Sequence, residues 1–205
     1  MDSDMLLTEP GTDDTSLIAA YRSGDDEALT ALIQRHQASV YRLAVGVLAS
    51  HEEAEDAAQE ALIGMLGALH RFRGESRFST WLYRLTLNTC LKRRRGLGRA
   101  PAVYVEETQS IPGGAAAQPD VQAGRRWAQH QVARFLAALP DHYRMPVVLA
   151  DCVNLRAPEI AELMEISLPA VKARILRGRQ RLREEIERYC REAGLSGWRE
   201  LVSEL

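Results

Sequence analysis

The sequence predicts an all-α fold of two small helical domains joined by a flexible linker, on three observations. Apolar residues recur at helical spacing through residues 15–94 and again through 132–191. No segment in either stretch alternates as a strand does. Between them, residues 96–124 gather Gly96, Gly98, Pro101, Pro112, Gly113, Gly114, Pro119 and Gly124, a composition of linker rather than packed structure. Compact folds seldom carry a structureless stretch of that length as a loop, which argues for two domains.

Each element follows in order. Residues 1–14 hold Asp2, Asp4, Glu9, Asp13 and Asp14 with no basic residue, and read as a disordered acidic tail. The first domain is expected over 15–96. Gly24 and Asp25 divide a short helix from a longer one carrying Leu29, Leu32, Ile33, Val40, Leu43, Ala44, Val47 and Leu48. A third helix, 52–69, turns Ala54, Ala58, Ala61, Leu62, Met65, Leu66 and Leu69 inward. A fourth runs to Arg94 from Ser79, read as its N-cap.

The linker is placed at 97–125 and the second domain at 126–191. Its first helix carries Val132, Phe135, Leu136 and Leu139 and breaks at Pro140. Helices are expected over 144–152, 158–165 and 168–191, with Pro158 and Pro169 in first turns, where proline is tolerated. A C-terminal extension, 192–205, places Trp198, Leu201, Val202 and Leu205 on one face of a short helix.

Composition bounds the function. The 205 residues are 46% hydrophobic and 26% charged, ordinary for a globular protein, with a formal net charge of −2. That average hides two basic patches. Residues 71–99 hold Arg71, Arg73, Arg77, Arg84, Lys92, Arg93, Arg94, Arg95 and Arg99 against Glu75 alone. Residues 172–183 hold Lys172, Arg174, Arg177, Arg179, Arg181 and Arg183 with no acid. Two basic patches on a near-neutral chain imply two nucleic-acid contacts beside surfaces of other purpose. Cys90, Cys152 and Cys190 are far apart and read as reduced thiols. The five histidines lack metal-ligand spacing, so no metal or cofactor is expected. No signal peptide or membrane span is visible. No paired carboxylates, nucleophile–base set or phosphate-cradling glycine loop is visible, and no enzymatic activity is expected.

Three constellations carry the functional reading. FRGESRFSTWLYRLTLNTCLKRRR (72–95) runs an aromatic, basic loop into a helix with Trp81, Arg84 and Asn88. Rings stack on unpaired bases, amides read base edges and arginines hold phosphates, so this is a nucleic-acid surface. Trp81 and Leu85 are read as core, and Phe72, flanked by Arg71 and Arg73, as exposed or lining a pocket. PEIAELMEISLPAVKARILRGRQRLR (158–183) is a helix-turn-helix. Ile160, Ala161, Met164, Ile166, Val171, Ile175 and Leu182 pack it, and the first turn, Ser167–Lys172, enters a major groove. Lys172, Arg174, Arg177 and Arg181 remain for DNA. Glu55, Asp56, Gln59 and Glu60 make an acidic stripe on the third helix, a docking face for a protein partner.

DAAQEALIGML (56–66), the 72–95 stretch and residues 138–183 together resemble an extracytoplasmic-function (group IV) sigma factor of the sigma-70 family. The resemblance implies a region-2 domain over 15–96 and a region-4 domain over 126–191. Glu55, Asp56, Gln59 and Glu60 fall where the family docks on the β′ clamp helices of core RNA polymerase; the β subunit is a further expected contact. Phe72 and Asn88 fall at the pocket for a flipped base of the −10 promoter element, with loop 73–77 covering it; Arg73, Arg77, Arg84 and Lys92 belong to the same DNA face. Ser167, Lys172, Arg174, Arg177 and Arg181 fall on the −35 recognition helix. The linker would thread toward the polymerase active-site channel. An anti-sigma protein is the expected regulator, and the cytoplasm the expected compartment.

The chain departs from the family pattern at Glu165, where Gly is usual, at Ala170, where Thr is usual, and at Ala173, where a small hydroxylated residue is common. Leu168 and Pro169 are also unusual there. Loss of polar side chains at 170 and 173 shifts −35 readout toward shape and backbone contacts. With net charge −2, weak DNA binding by the free protein is expected. The rival reading, a dimeric helix-turn-helix regulator on duplex operators, explains 158–183 and leaves 56–95 without a purpose.

Overall fold

In the computed structural model, residues 13–96 and 131–195 are described; the expected linker, the tail before Asp13 and the extension around Trp198 lie outside them. Among the described residues every regular element is helical. The first unit has α1 (Asp14–Arg22), α2 (Asp26–Leu48), α3 (His51–Ala68), a 3-10 turn (Leu69–Arg71) and α4 (Phe78–Gly96). The second has α5 over residues 131–138. It continues with α6 (Asp141–Val147), a π turn (Val148–Cys152), α7 (Ala157–Met164) and α8 (Leu168–Glu192).

Local chemistry sets the helix ends. Asp13 Oδ1 accepts the Ser16 N–H at 2.7 Å, Asp25 those of Glu27 and Ala28 at 2.9 and 3.2 Å, and Ser50 that of Glu53 at 3.4 Å. Each satisfies an orphan donor of a first turn. The reading of residues 1–14 as tail is corrected at its end. Asp13 caps α1, and the Asp14 carboxylate binds Arg35 at 2.9 Å and His36 at 3.0 Å. Helix α4 starts at Phe78, so Ser79 lies inside it rather than capping it. The helix expected over 144–152 is regular only to Val147, because Pro146 inside it has no N–H to donate and the backbone then widens into the π turn.

The first unit packs α2, α3 and α4 around Leu32, Val40, Leu43, Val47, Ala61, Met65, Leu69 and Leu82. Leu66, expected inward, is exposed, as is Val132. The second unit packs Leu136, Leu139, Val147, Val148, Ile160 and Val171. Gly178 lets α8 approach α6: a Cβ there would lie 2.6 Å from Val147 Cγ2 and 3.1 Å from the Tyr143 carbonyl oxygen.

The two units are also in contact. The α2 helix meets the π turn at Gly46, where a Cβ would sit 2.5 Å from Val148 Cγ1. Arg42 Nε donates to the Cys152 carbonyl at 2.9 Å, and Arg94 at the end of α4 forks onto the Asp141 carboxylate. One continuous apolar core runs across both units.

Candidate nucleic-acid and polymerase interface

A groove of about 410 Å³ runs between α3 and α4, lined by Glu60, Ala68, Trp81, Arg84, Leu85, Asn88, Thr89 and Lys92. The helical repeat puts 81, 84/85, 88 and 92 on one face of α4, which places an aromatic ring, an amide and two cations side by side. Asn88, Arg84 and Lys92 are exposed. Trp81 is half-buried and serves both purposes: one part lines the groove, while its ring packs 5.3 Å from Phe72 and 5.6 Å from Phe78. The assignment of Trp81 to the core is corrected to that extent, and Leu85 likewise lines the groove.

Phe72 is corrected more fully. It is buried in a cluster with Phe78, at 5.5 Å and 84°, and Trp81, and is absent from the groove lining. It backs the Trp81 ring rather than facing solvent. What holds it there is Arg22, whose guanidinium donates to the Leu69 carbonyl at 3.0 Å and the Phe72 carbonyl at 2.6 Å. Nothing local in the sequence singles out Arg22, since it looks like any basic helix end. Beyond Phe72 the loop reverses at Gly74, whose φ of +76° lies in the left-handed region that glycine enters without strain. Arg73 and Arg77 project from this loop with side chains 84% and 65% exposed, Arg73 4.0 Å from Glu75 and Arg77 3.6 Å from Glu159.

The acidic stripe on α3 is narrower than expected. Asp56, Gln59 and Glu60 are exposed on one face, and Ile63, one turn on, continues it with 67% of its surface open. Glu55 is half-buried on the α2 side; burial first and the Glu55 charge second push the Tyr41 hydroxyl pKa up. Arg93 reaches across from α4 to Glu53, to Asp56 at 2.5 Å and to Glu60 at 3.8 Å. The run Lys92–Arg95 is therefore not a uniform phosphate contact. Arg93 belongs to the acidic cluster and Arg94 to Asp141, leaving Lys92 and Arg95 exposed. Burial of Asp141 favours its neutral form, but hydrogen bonds from Arg94 and the Arg144 charge outweigh that and hold the carboxyl below its ordinary value.

In the helix-turn-helix, Ile160 and Val171 are fully buried, with Ala161, Met164, Ile166, Ile175 and Leu182 packed around them. Leu163, not assigned from sequence, is buried too. Both prolines sit in first turns as expected. The α7 helix ends at Glu165 with φ 55°, the left-handed conformation for which glycine is the usual choice. Ser167 caps α8 by accepting the Ala170 N–H at 3.4 Å. Lys172 and Arg177 are exposed and Arg174 half-buried. Arg181 is exposed, and its guanidinium stacks 4.8 Å over the Tyr143 ring, a cation–π contact within the domain. Arg179 pairs with Asp151 at 2.5 Å. Leu176, 70% exposed, stands among the free cations of this helix.

Besides Arg94–Asp141, two more ion pairs cross between the units among the described residues: Arg77 to Glu159 and Arg84 to Glu162, each at 3.6 Å. The Arg84–Glu162 pair is exposed at both ends and contributes about 0–1 kcal/mol, and the Glu159 carboxylate lies closer to Arg156, at 3.1 Å, than to Arg77, whereas a fully buried valine contributes roughly 2 kcal/mol. Apolar packing around Val148, not charge, therefore dominates the contact.

Among the described residues, no group of three or more His, Cys, Asp and Glu is placed to hold a metal, and no helix is long and apolar enough to cross a membrane. The sigma-70 region 2 family matches residues 32–100 and the sigma-70 region 4 family residues 129–182, in that order. The RNA polymerase sigma-H factor of Pseudomonas aeruginosa is 30% identical over 88% of this chain and 97% of its own length. The chain is an extracytoplasmic-function sigma factor of the sigma-70 family. The ECF sigma-E factor of Escherichia coli is 31% identical over 87% of this sigma factor and 96% of its own length. The structure of CnrH in complex with the cytosolic domain of CnrY superimposes with TM-score 0.63 at 25% identity, covering 83% of this sigma factor and 94% of that chain. The sigma factor RpoE in complex with the anti-sigma factor NepR from Bartonella quintana superimposes with TM-score 0.57; at 19% identity this speaks for the fold alone.

Proposed function

We propose that this sigma factor binds core RNA polymerase and directs it to a subset of promoters, with no catalytic step of its own. The observation that carries the reading is the α3–α4 groove, where Trp81, Arg84, Asn88 and Lys92 converge in the region-2 domain. A ring for stacking, an amide for a base edge and cations for the strand suit an unpaired nucleotide, and duplex DNA does not present one. Asn88 reads the base, Arg73, Arg77, Arg84 and Lys92 hold its strand, and Phe72 fixes the pocket wall through Trp81. Asp56, Gln59 and Glu60, extended by Ile63, dock on the polymerase β′ clamp helices. Ser167, Lys172, Arg174 and Arg177 present α8 to the −35 element.

The protein works where the polymerase is, in the cytoplasm, and an anti-sigma protein is its regulator; both solved relatives carry a partner chain by their descriptions. The test is a pair of variants in reconstituted holoenzyme. Asn88→Ala lowers promoter opening, read by permanganate reactivity of unpaired thymines, with core binding intact. Asp56→Arg with Glu60→Arg lowers core binding instead. Normal promoter opening by Asn88→Ala at every promoter tested overturns the pocket.

A further inference from the structure

We propose that Leu176 reads the −35 element by apolar contact, packing its side chain on the C5-methyl group of a thymine in the major groove. This rests on the reading of α8 as the −35 helix. A single exposed leucine is ordinary on a protein surface; the place of this one, 70% exposed, is what carries the argument. Val171, Ile175, Gly178 and Leu182 turn toward the rest of the domain. At about 3.6 residues per turn, the opposite line of α8 runs through Pro169, Ala173 and Leu176, which are exposed. Exposed Lys172 and Arg177 flank that line, one on each side. Gln180, next along it, donates its side-chain amide to Glu184 at 3.1 Å.

An apolar centre between two cationic edges fits a duplex groove, whose walls are phosphate and whose floor is base edges. The cations meet the walls, and the centre offers the floor only methyl and methylene groups. Thymine is the base that displays a methyl group in the major groove, so an apolar side chain there selects it. From Pro169 to Leu176 the helix rises about 10 Å, the length of about three base steps. The readout is therefore confined to a few adjacent bases. No acidic residue falls between 166 and 183, so the face is complementary to a polyanion. A protein covering the same patch would have to bring its own acids to both edges; duplex DNA carries them along both walls.

The test uses reconstituted holoenzyme and promoter duplexes that it selects from a pool with a randomised −35 element. Selection is expected to enrich thymine at one step or more. Replacing that thymine by deoxyuridine removes only the methyl group and is expected to weaken binding roughly fourfold, the worth of one buried methyl. Leu176→Ala, at an open position that leaves the fold intact, is expected to lose this sensitivity and bind both duplexes alike. Leu176→Met, still apolar, is expected to keep it. Selection without thymine, deoxyuridine tolerated at every selected thymine, or methyl sensitivity that survives Leu176→Ala each overturns the proposal. Scrambling the −35 element separates it from the reading beneath. If scrambling weakens binding while deoxyuridine does not, the −35 helix stands and the Leu176 contact falls alone. If scrambling changes nothing, both fall.

Discussion

Arg93 of α4 closes on Asp56 of α3 at 2.5 Å, so a cation from the basic run neutralises the acidic face beside it. Its guanidinium also meets Glu53 and Glu60. Arg93→Ala leaves three carboxylates facing one another and is expected to destabilise the region-2 domain by about 1 kcal/mol. The loss shrinks between 0.1 and 1 M salt, as the screening length falls from about 10 to about 3 Å. Thermal melts at the two salt concentrations check it; equal losses would mean that packing, not charge, is what Arg93 supplies.

Glu165 holds a left-handed backbone with φ 55° at the turn between α7 and α8. A residue with a Cβ is strained there by about 1 kcal/mol relative to glycine. Glu165→Gly is expected to raise the unfolding free energy by that amount, read as a higher denaturant midpoint at an unaltered m-value. Glu165→Val is expected to lower it, since branching at Cβ worsens the clash.

Gly178 is where α8 lies against α6, and a Cβ there meets Val147 Cγ2 at 2.6 Å. Gly178→Ala is expected to cost about 1–3 kcal/mol through overpacking. Chemical denaturation measures it, and −35 binding weakens in parallel because the recognition helix is displaced.

Much of the fold is legible in the sequence because a helix announces itself by period, and linker and turn residues interrupt the period. The helix-turn-helix is legible for the same reason. The roles of individual cations are not. Arg93, Arg94 and Arg181 have the same neighbours in sequence whether they face phosphate, carboxylate or the Tyr143 ring, and only the partner helix decides. Phe72 looks exposed because arginines flank it, yet its ring turns inward onto Phe78 and Trp81. Long-range donors such as Arg22, which fixes a loop fifty residues on, leave no local trace.

Cys90 is fully buried, and burial pushes its thiol up to about 12. At pH 8 it stays protonated and is a poor nucleophile. Peptide mapping after treatment with a thiol reagent is expected to show Cys90 unmodified in the native protein and modified once denaturant is added.

Burial raises the Asp14 carboxyl, but hydrogen bonds from His36 and Arg35 outweigh it and hold the pKa below its ordinary value of 3.8. A carboxyl depressed on folding contributes stability above its unfolded value, lost as pH falls through the folded one. The docking of α1 is therefore intact at neutral pH and weakens below about pH 4. Asp14→Asn is expected to flatten that acid limb in melts taken as a function of pH.

The Asp13 cap and the Asp14 pair tie the start of α1 to α2 and to its own first turn. A protein shortened to start at Asp13 keeps the cap on Ser16 and the grip on Arg35 and His36. One shortened two residues further loses both, and with them the anchor that lets Arg22 hold the Phe72 loop. A trimming choice at the far end of the sequence thus reaches the Phe72–Trp81 cluster behind the α3–α4 groove through one short helix.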